Sequence, residues 1–202
     1  MVGKRILLIV VLIFFQFTTP AKMILFFGDS LTAGYGLDPE MAFPSLIEKE
    51  LNRTSVKVKI TNSGLSGETS AGGLARIDWV LKQPTDIFVL ELGANDGLRG
   101  LPLNQTRANL QGIIDKVKAK YPKVKIVLTG MMVPPNMGKQ YAAEFKNIFP
   151  ELAKKNNATL MPFLLDQVGG IEKLNQADGI HPNAEGHKIV AKNLGAILVK
   201  LI

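Results

Sequence analysis

Beyond residue 22 the chain alternates between short apolar runs and longer stretches with helical spacing. Residues 23–27 form an apolar run that stops at Gly28, as a buried strand would. Residues 56–60 alternate valine and isoleucine with lysine, the pattern of an edge strand. Further compact runs at 86–90, 124–128 and 160–163 predict three more strands. Between them, residues 42–51, 70–81, 104–120, 141–155 and 184–202 carry apolar positions at helical intervals. Pro84 stops the second of these helices, and Asn104 is placed to cap the third. Five strands alternating with five helices predict an α/β fold. The expected architecture is a three-layer α/β/α sandwich around a five-stranded, mostly parallel sheet of flavodoxin-like type. In such sheets ligands bind beyond the carboxyl ends of the strands. Three segments that follow strands are rich in Gly, Ser, Asn and Asp: 28–34, 62–69 and 93–96. A fourth polar cluster, 178–183, follows the fifth strand at a distance. The fold predicts that all four meet at one edge of the sheet.

The first 21 residues follow a different pattern. Lys4 and Arg5 precede an apolar run at 6–15, and Thr18, Thr19, Pro20 and Ala21 follow it. This is the order of a secretory signal, with Thr19 and Ala21 at the −3 and −1 positions of a cleavage site. The rival reading is an uncleaved inner-membrane anchor, although the run is shorter than the roughly 20 apolar residues a span requires. No cysteine follows, so a lipoprotein anchor is excluded. The expected organisation is a signal or anchor at 1–21 and a single domain at 22–202. The expected location is outside the cytoplasm, either periplasmic or secreted.

Composition narrows the chemistry. The chain has 202 residues, of which 47% are hydrophobic and 20% charged, which excludes wholesale disorder. Having no cysteine removes disulfides, thiolate metal sites, iron–sulfur clusters and cysteine nucleophiles. His181 and His187 are the only histidines, too few for a histidine-rich metal site. The net charge is +7, and without Lys4 and Arg5 there remain 22 basic and 17 acidic residues. These charges are spread along the chain and are not interleaved with aromatics, so nucleic acid is not an expected partner. A transient contact with an anionic membrane surface stays open.

The polar clusters carry residues suited to acyl transfer. Asp178 lies three residues before His181 with Gly179 between them, so a single turn can bring the carboxylate to the imidazole Nδ1. The same spacing also suits a plain capped turn ahead of the last helix. Ala184 takes the equivalent place before His187, which reads as a surface or packing histidine. Ser30 directly follows the first strand, where a nucleophile would be exposed beside backbone N–H groups, or where a serine would cap a turn. Asp29, its neighbour, reads as a residue that shapes the loop. Gly67 offers an unobstructed N–H and Asn95 an uncharged amide donor, the two kinds of group an oxyanion hole needs. Each is also an ordinary turn residue. The Gly-x-Ser-x-Gly elbow of the α/β-hydrolases is absent.

Taken in order, the four blocks resemble those of the SGNH (GDSL-type) hydrolases. The blocks are Gly28-Asp29-Ser30-Leu31, Gly64-Leu65-Ser66-Gly67-Glu68-Thr69, Gly93-Ala94-Asn95-Asp96 and Asp178-Gly179-Ile180-His181-Pro182-Asn183. Segments 31–36, 93–100 and 133–138 are similar to the bacterial periplasmic branch, described as arylesterases, acyl-CoA thioesterases and lysophospholipases. The resemblance implies a Ser30–His181–Asp178 triad and an oxyanion hole from Ser30, Gly67 and Asn95. It also implies a monomer that needs no metal or cofactor and acts on small acyl or aryl esters. Leu98, Leu101 and Leu103 on one loop, and Met131, Met132, Val133 and Met137 on another, either line an acyl groove or pack into the core. Two alternatives remain: a carbohydrate deacetylase with the same catalytic residues, and a non-enzymatic flavodoxin-like binding module. A deacetylase would want aromatic sugar platforms, and Trp79, the only tryptophan, reads as a packing residue in a helix.

Overall fold

The computed structural model describes residues 20–54 and 56–202; the expected signal or anchor at 1–21 falls outside them except for Pro20 and Ala21. Five parallel strands form one sheet: β1 (Lys22–Gly28), β2 (Val58–Gly64), β3 (Ile87–Glu91), β4 (Lys125–Thr129) and β5 (Thr159–Met161). Their order is β2-β1-β3-β4-β5, the flavodoxin-like order. The interior strands are apolar on both faces because helices cover both, as parallel sheets require. One layer holds α2 (Phe43–Leu51) against α7 (Ala184–Leu198). The other holds α3 (Ser70–Val80), α5 (Leu103–Lys120) and α6 (Lys139–Asn156). Neighbouring β1 residues divide between the layers: Phe26 packs edge-on to Phe43 of α2, while Phe27 lies beside Phe88 and under Arg76 of α3.

Among the described residues the five predicted helices are present, with two short α-helices besides: α1 (Ser30–Ala33) and α4 (Ala94–Leu98). At four and five residues they are too short to leave a periodic signal. Both begin directly after a strand, in the segments richest in candidate chemistry. Other boundaries also differ from expectation. β2 runs on through Thr61, Asn62 and Ser63, paired with β1 as far as Gly28↔Gly64. A backbone ladder does not depend on side-chain polarity, and an edge strand keeps part of its surface in water. β5 ends at Met161 because Pro162 has no N–H to continue the ladder. Pro102, not Asn104, stands at the cap position of α5, and the Asn104 side chain accepts only from the next residue, Gln105.

Trp79 is not a packing residue. It is 73% exposed, with the Lys82 ammonium 5.2 Å from its ring centroid. The inner face of α3 belongs to Ser70, Gly73 and Ile77, and Trp79 points about 200° around the helix from Ile77. His187, by contrast, is 1% exposed and stacks on Phe43. Its Nδ1 accepts the Phe43 N–H at 3.1 Å, satisfying a donor at the start of α2. Burial, with a smaller contribution from the charge of His181, lowers its pKa to about 4, so at neutral pH the ring is the uncharged acceptor this bond needs.

Candidate active site

The site is built where β1, β2 and β3 end. β1 stops at Gly28, whose missing Cβ leaves room for the Glu91 carboxyl and the Thr32 hydroxyl. The chain then turns into α1. Asp29 caps this turn, its Oδ1 accepting the Leu31 N–H at 3.0 Å, and Ser30 becomes the first helical residue. Gly34 closes α1 at φ 77°, a left-handed conformation that glycine adopts without strain. β2 approaches closely from the side: a Cβ on Gly64 would sit 2.3 Å from the Ala33 nitrogen.

His181 reaches Ser30 from the loop before α7. Its Nε2 lies 2.9 Å from Ser30 Oγ, and its Nδ1 lies 2.6 Å from Asp178 Oδ2. Asp178 Oδ1 accepts the backbone N–H groups of Ile180 and His181. These bonds, with that to the His181 ring, lower the Asp178 pKa to about 2, so it stays ionised wherever an imidazole titrates. The loop is anchored on both sides. Gln176 Nε2 donates to the carbonyls of Tyr35 and Pro182. Asn183 Oδ1 caps α7 by accepting from Glu185 and Gly186. The Tyr35 ring packs on His181 with centroids 4.7 Å apart.

Gly67 and Asn95 arrive from the loops after β2 and β3. Gly67 sits at φ 79° in the turn closed by the Glu68 N–H and the Leu65 carbonyl. Among the described residues, the backbone N–H groups of Ser30 and Gly67 have no hydrogen-bond acceptor. Asn95 Nδ2 donates to the Glu68 carbonyl at 3.0 Å and to Asp29 Oδ2 at 3.2 Å. The three predicted oxyanion donors and the Ser30–His181–Asp178 chain therefore come together at one end of the sheet. Among the described residues, no group of three or more His, Cys, Asp or Glu side chains is arranged to hold a metal ion.

Several supporting residues stand out only in three dimensions. Asp96 is buried and accepts from the Ser70 N–H and hydroxyl and from the Thr106 hydroxyl, tying the Asn95 loop to α3 and α5. Glu68 pairs with Arg76, which also donates to the Ser63 carbonyl. Arg99 donates to the Gly67 carbonyl at 2.9 Å. Glu91, wholly buried, accepts at one oxygen from the Asp29 N–H, the Thr32 N–H and the Thr32 hydroxyl. Its sequence signal is a charged residue ending the otherwise apolar run of β3.

The two apolar segments expected to line an acyl groove or pack into the core differ in burial, and Leu103 and Val133 pack against the hydrophobic core. Leu98 and Met132 are exposed, and Leu101, Leu103, Val133 and Met137 are partly so. Met131 is 2% exposed and belongs to the core.

Comparison with known proteins agrees with this architecture. Residues 26–189 match the profile of the GDSL-like lipase/acylhydrolase family. An arylesterase of Vibrio mimicus is 38% identical over 181 residues, covering 89% of this chain and 90% of the relative. The thioesterase 1/protease 1/lysophospholipase L1 of Escherichia coli K12 is 37% identical over 183 residues, covering 90% and 86%. The crystal structure of TesA superposes with a TM-score of 0.85 at 36% identity, covering 90% of this chain and all of that one. The chain belongs to the GDSL-like lipase/acylhydrolase family, the SGNH hydrolases.

Proposed function

We propose that the chain hydrolyses carboxylic acyl or aryl esters, thioesters or lysophospholipids through a Ser30 acyl-enzyme. The observation that carries this is the continuous hydrogen-bonded chain Ser30–His181–Asp178, lying beside two backbone N–H groups free to donate. His181 Nε2 takes the Ser30 proton as Oγ attacks the carbonyl carbon. The oxyanion that forms is held by the N–H groups of Ser30 and Gly67 and by the Asn95 amide. His181 then protonates the departing alcohol or thiol. Water, deprotonated by His181, releases the acid and restores the serine. Asp178 holds the ring by Nδ1 and stabilises its charged form.

The names of the relatives favour aryl esters, thioesters and lysophospholipids over sugar acetates. The structure adds a reason. Trp79, the only tryptophan available as a sugar platform, lies about 14 Å along α3 from Ser70 and so at the far end from the site. The exposed Leu98 and Met132 offer an apolar approach for an acyl chain, and methionine adapts to flexible chains. We place the enzyme outside the cytoplasm, acting as a monomer, with residues 1–21 directing its export.

The test is hydrolysis of p-nitrophenyl esters from acetate to palmitate, with Ser30→Ala alongside. Activity that disappears in the variant is the expected result. Activity retained by the variant would overturn the serine mechanism. A sharp preference for acetate alone would move the assignment to the deacetylase.

A further inference from the structure

Beneath the nucleophile turn lie two buried carboxyl groups that the acyl-transfer scheme does not use. Asp29 is 1% exposed and Glu91 0%. Glu91 projects from the end of β3, where its backbone pairs in register with Gly28. Its Oε2 gathers the Asp29 N–H at 3.1 Å, the Thr32 N–H at 3.3 Å and the Thr32 hydroxyl at 2.7 Å. Those donors flank Ser30 on both sides, so a single oxygen pins the turn that presents the nucleophile. Glu91 Oε1 is buried with no partner among the described donors and acceptors. Asp29 lies directly against Glu91, its backbone N–H on Glu91 Oε2 at 3.1 Å, so the two buried carboxyl groups are neighbours.

Two ionised carboxylates cannot share a dry site, because each raises the cost of charging the other. A single proton resolves both problems. On Glu91 Oε1 it gives that atom an acceptor, the Asp29 carboxylate, and it leaves one negative charge on the pair. Asp29 is the better seat for the charge. It accepts N–H groups from Leu31 and Asn95, whereas two of the three donors to Glu91 are also satisfied by a neutral carbonyl-type oxygen. Burial pushes the Glu91 pKa well above the usual carboxylate range, with the neighbouring Asp29 charge adding to it, and burial raises Asp29 to about 6. The charged groups facing the pair are few: His181 acts on Asp29, and the Arg76 guanidinium, 3.5 Å from the Gly28 carbonyl, is committed to Glu68.

We infer that Glu91 is a positioning residue that works as a neutral acid, tying Asp29 and Thr32 around Ser30 and, through Asp29, setting the Asn95 amide. The effect on Asn95 arises from competition. Both protons of Asn95 Nδ2 are engaged in the resting enzyme, one of them on Asp29. An oxyanion must draw that proton away. A Glu91 hydroxyl donating to Asp29 weakens Asp29 as a rival acceptor and lets the amide turn to the oxyanion. This inference rests on the proposed roles of Ser30 and Asn95.

The test compares Glu91→Gln and Glu91→Leu with the wild type, on one ester and with Ser30→Ala in parallel. Glutamine reproduces the neutral acid, with an oxygen to accept and an N–H to donate, and is expected to keep kcat close to wild type. Leucine fills the space but neither accepts nor donates. It is expected to lower kcat about 100-fold with KM little changed, the scale of loss from a misplaced reacting group. Infrared spectroscopy of the wild type at pH 8 should show a protonated-carboxyl C=O stretch that Glu91→Gln lacks. The infrared reading holds even if the leucine variant does not fold. Unchanged kcat in folded Glu91→Leu, a loss in Glu91→Gln as deep as that in Glu91→Leu, or no such infrared band would each overturn the inference. Failure of the underlying acyl-enzyme reading looks different, because Ser30→Ala would then retain activity.

Discussion

Asn95 shows how much a single side chain can owe to its surroundings. The sequence marks it only as a polar residue in a turn, which most asparagines after strands also are. The fold gives its amide two acceptors and brings it to the end of the sheet that carries Ser30. Replacing Asn95 with Ala is expected to lower kcat about 100- to 1,000-fold with little effect on KM, because the donor acts on charge that develops only in the transition state. Steady-state kinetics on a p-nitrophenyl ester checks this. Asp178→Asn is expected to cost about ten-thousand-fold in kcat, since the amide reverses the tautomer of His181 that can accept the serine proton. A variant that keeps the wild-type denaturation midpoint while losing this activity separates the tautomer effect from a packing defect. At Gly67 the constraint is conformational. A Cβ there would meet nothing closer than the Arg99 guanidinium at 3.8 Å, yet φ 79° strains any other residue. Gly67→Ala should therefore fold but shift the N–H that serves the oxyanion.

At the scale of elements, the clearest dependence is on caps and ends. The loop that carries Asp178 and His181 is closed by a single antiparallel bridge between Asn175 and Pro182, and the start of α7 holds it in place. Asn183 caps α7 through Oδ1 and donates through Nδ2 to the Lys173 and Asn175 carbonyls. Asn183→Ala is expected to cost about 1–2 kcal/mol of stability, read by urea denaturation. It should also lower kcat more than a cap elsewhere would, because the loop beside it places the imidazole. The long helices are legible from the sequence because their apolar faces repeat over several turns. α1 and α4 are not, since one turn has no period, and they are the two elements that present Ser30 and Asn95. Trp79 departs from expectation for a related reason. A large aromatic in a helix suggests burial, but its angle from the Ser70–Gly73–Ile77 face decides, and that angle turns it to solvent.

For the whole molecule, the buried titrating groups set how stability varies with pH. His187 has a folded pKa of about 4, below its ordinary value near 6.5, so the unfolded chain binds the proton first. Its contribution is complete above about pH 6.5 and is lost as pH falls toward 4, amounting to about 3 kcal/mol. Glu91 acts in the opposite sense. Its folded pKa is raised, so folding at neutral pH must take up a proton, and stability declines as pH rises above the ordinary carboxylate range. Glu91→Gln removes that uptake and is expected to unfold at higher denaturant than wild type at pH 8, with the difference shrinking toward pH 4. Denaturation curves between pH 4 and 8 measure both slopes. An equal midpoint for the two proteins at pH 8 would contradict the second.

The fold class, the order of the strands and long helices, and the four segments that carry chemistry are legible in the chain alone. Apolar periodicity and strand-ending polar clusters are local properties, readable over five to fifteen residues. Contacts between distant parts of the chain set the rest. Only the 2-1-3-4-5 order of the sheet brings residues 30, 67, 95 and 181 to one end. Only packing makes Met131 a core residue while leaving Met132 exposed, and leaves Trp79 in water while enclosing His187. Glu91 belongs to the same group. A charged residue at the end of an apolar strand is a local fact, but its place beneath the nucleophile depends on β3 lying beside β1, and chain distance does not encode that neighbour.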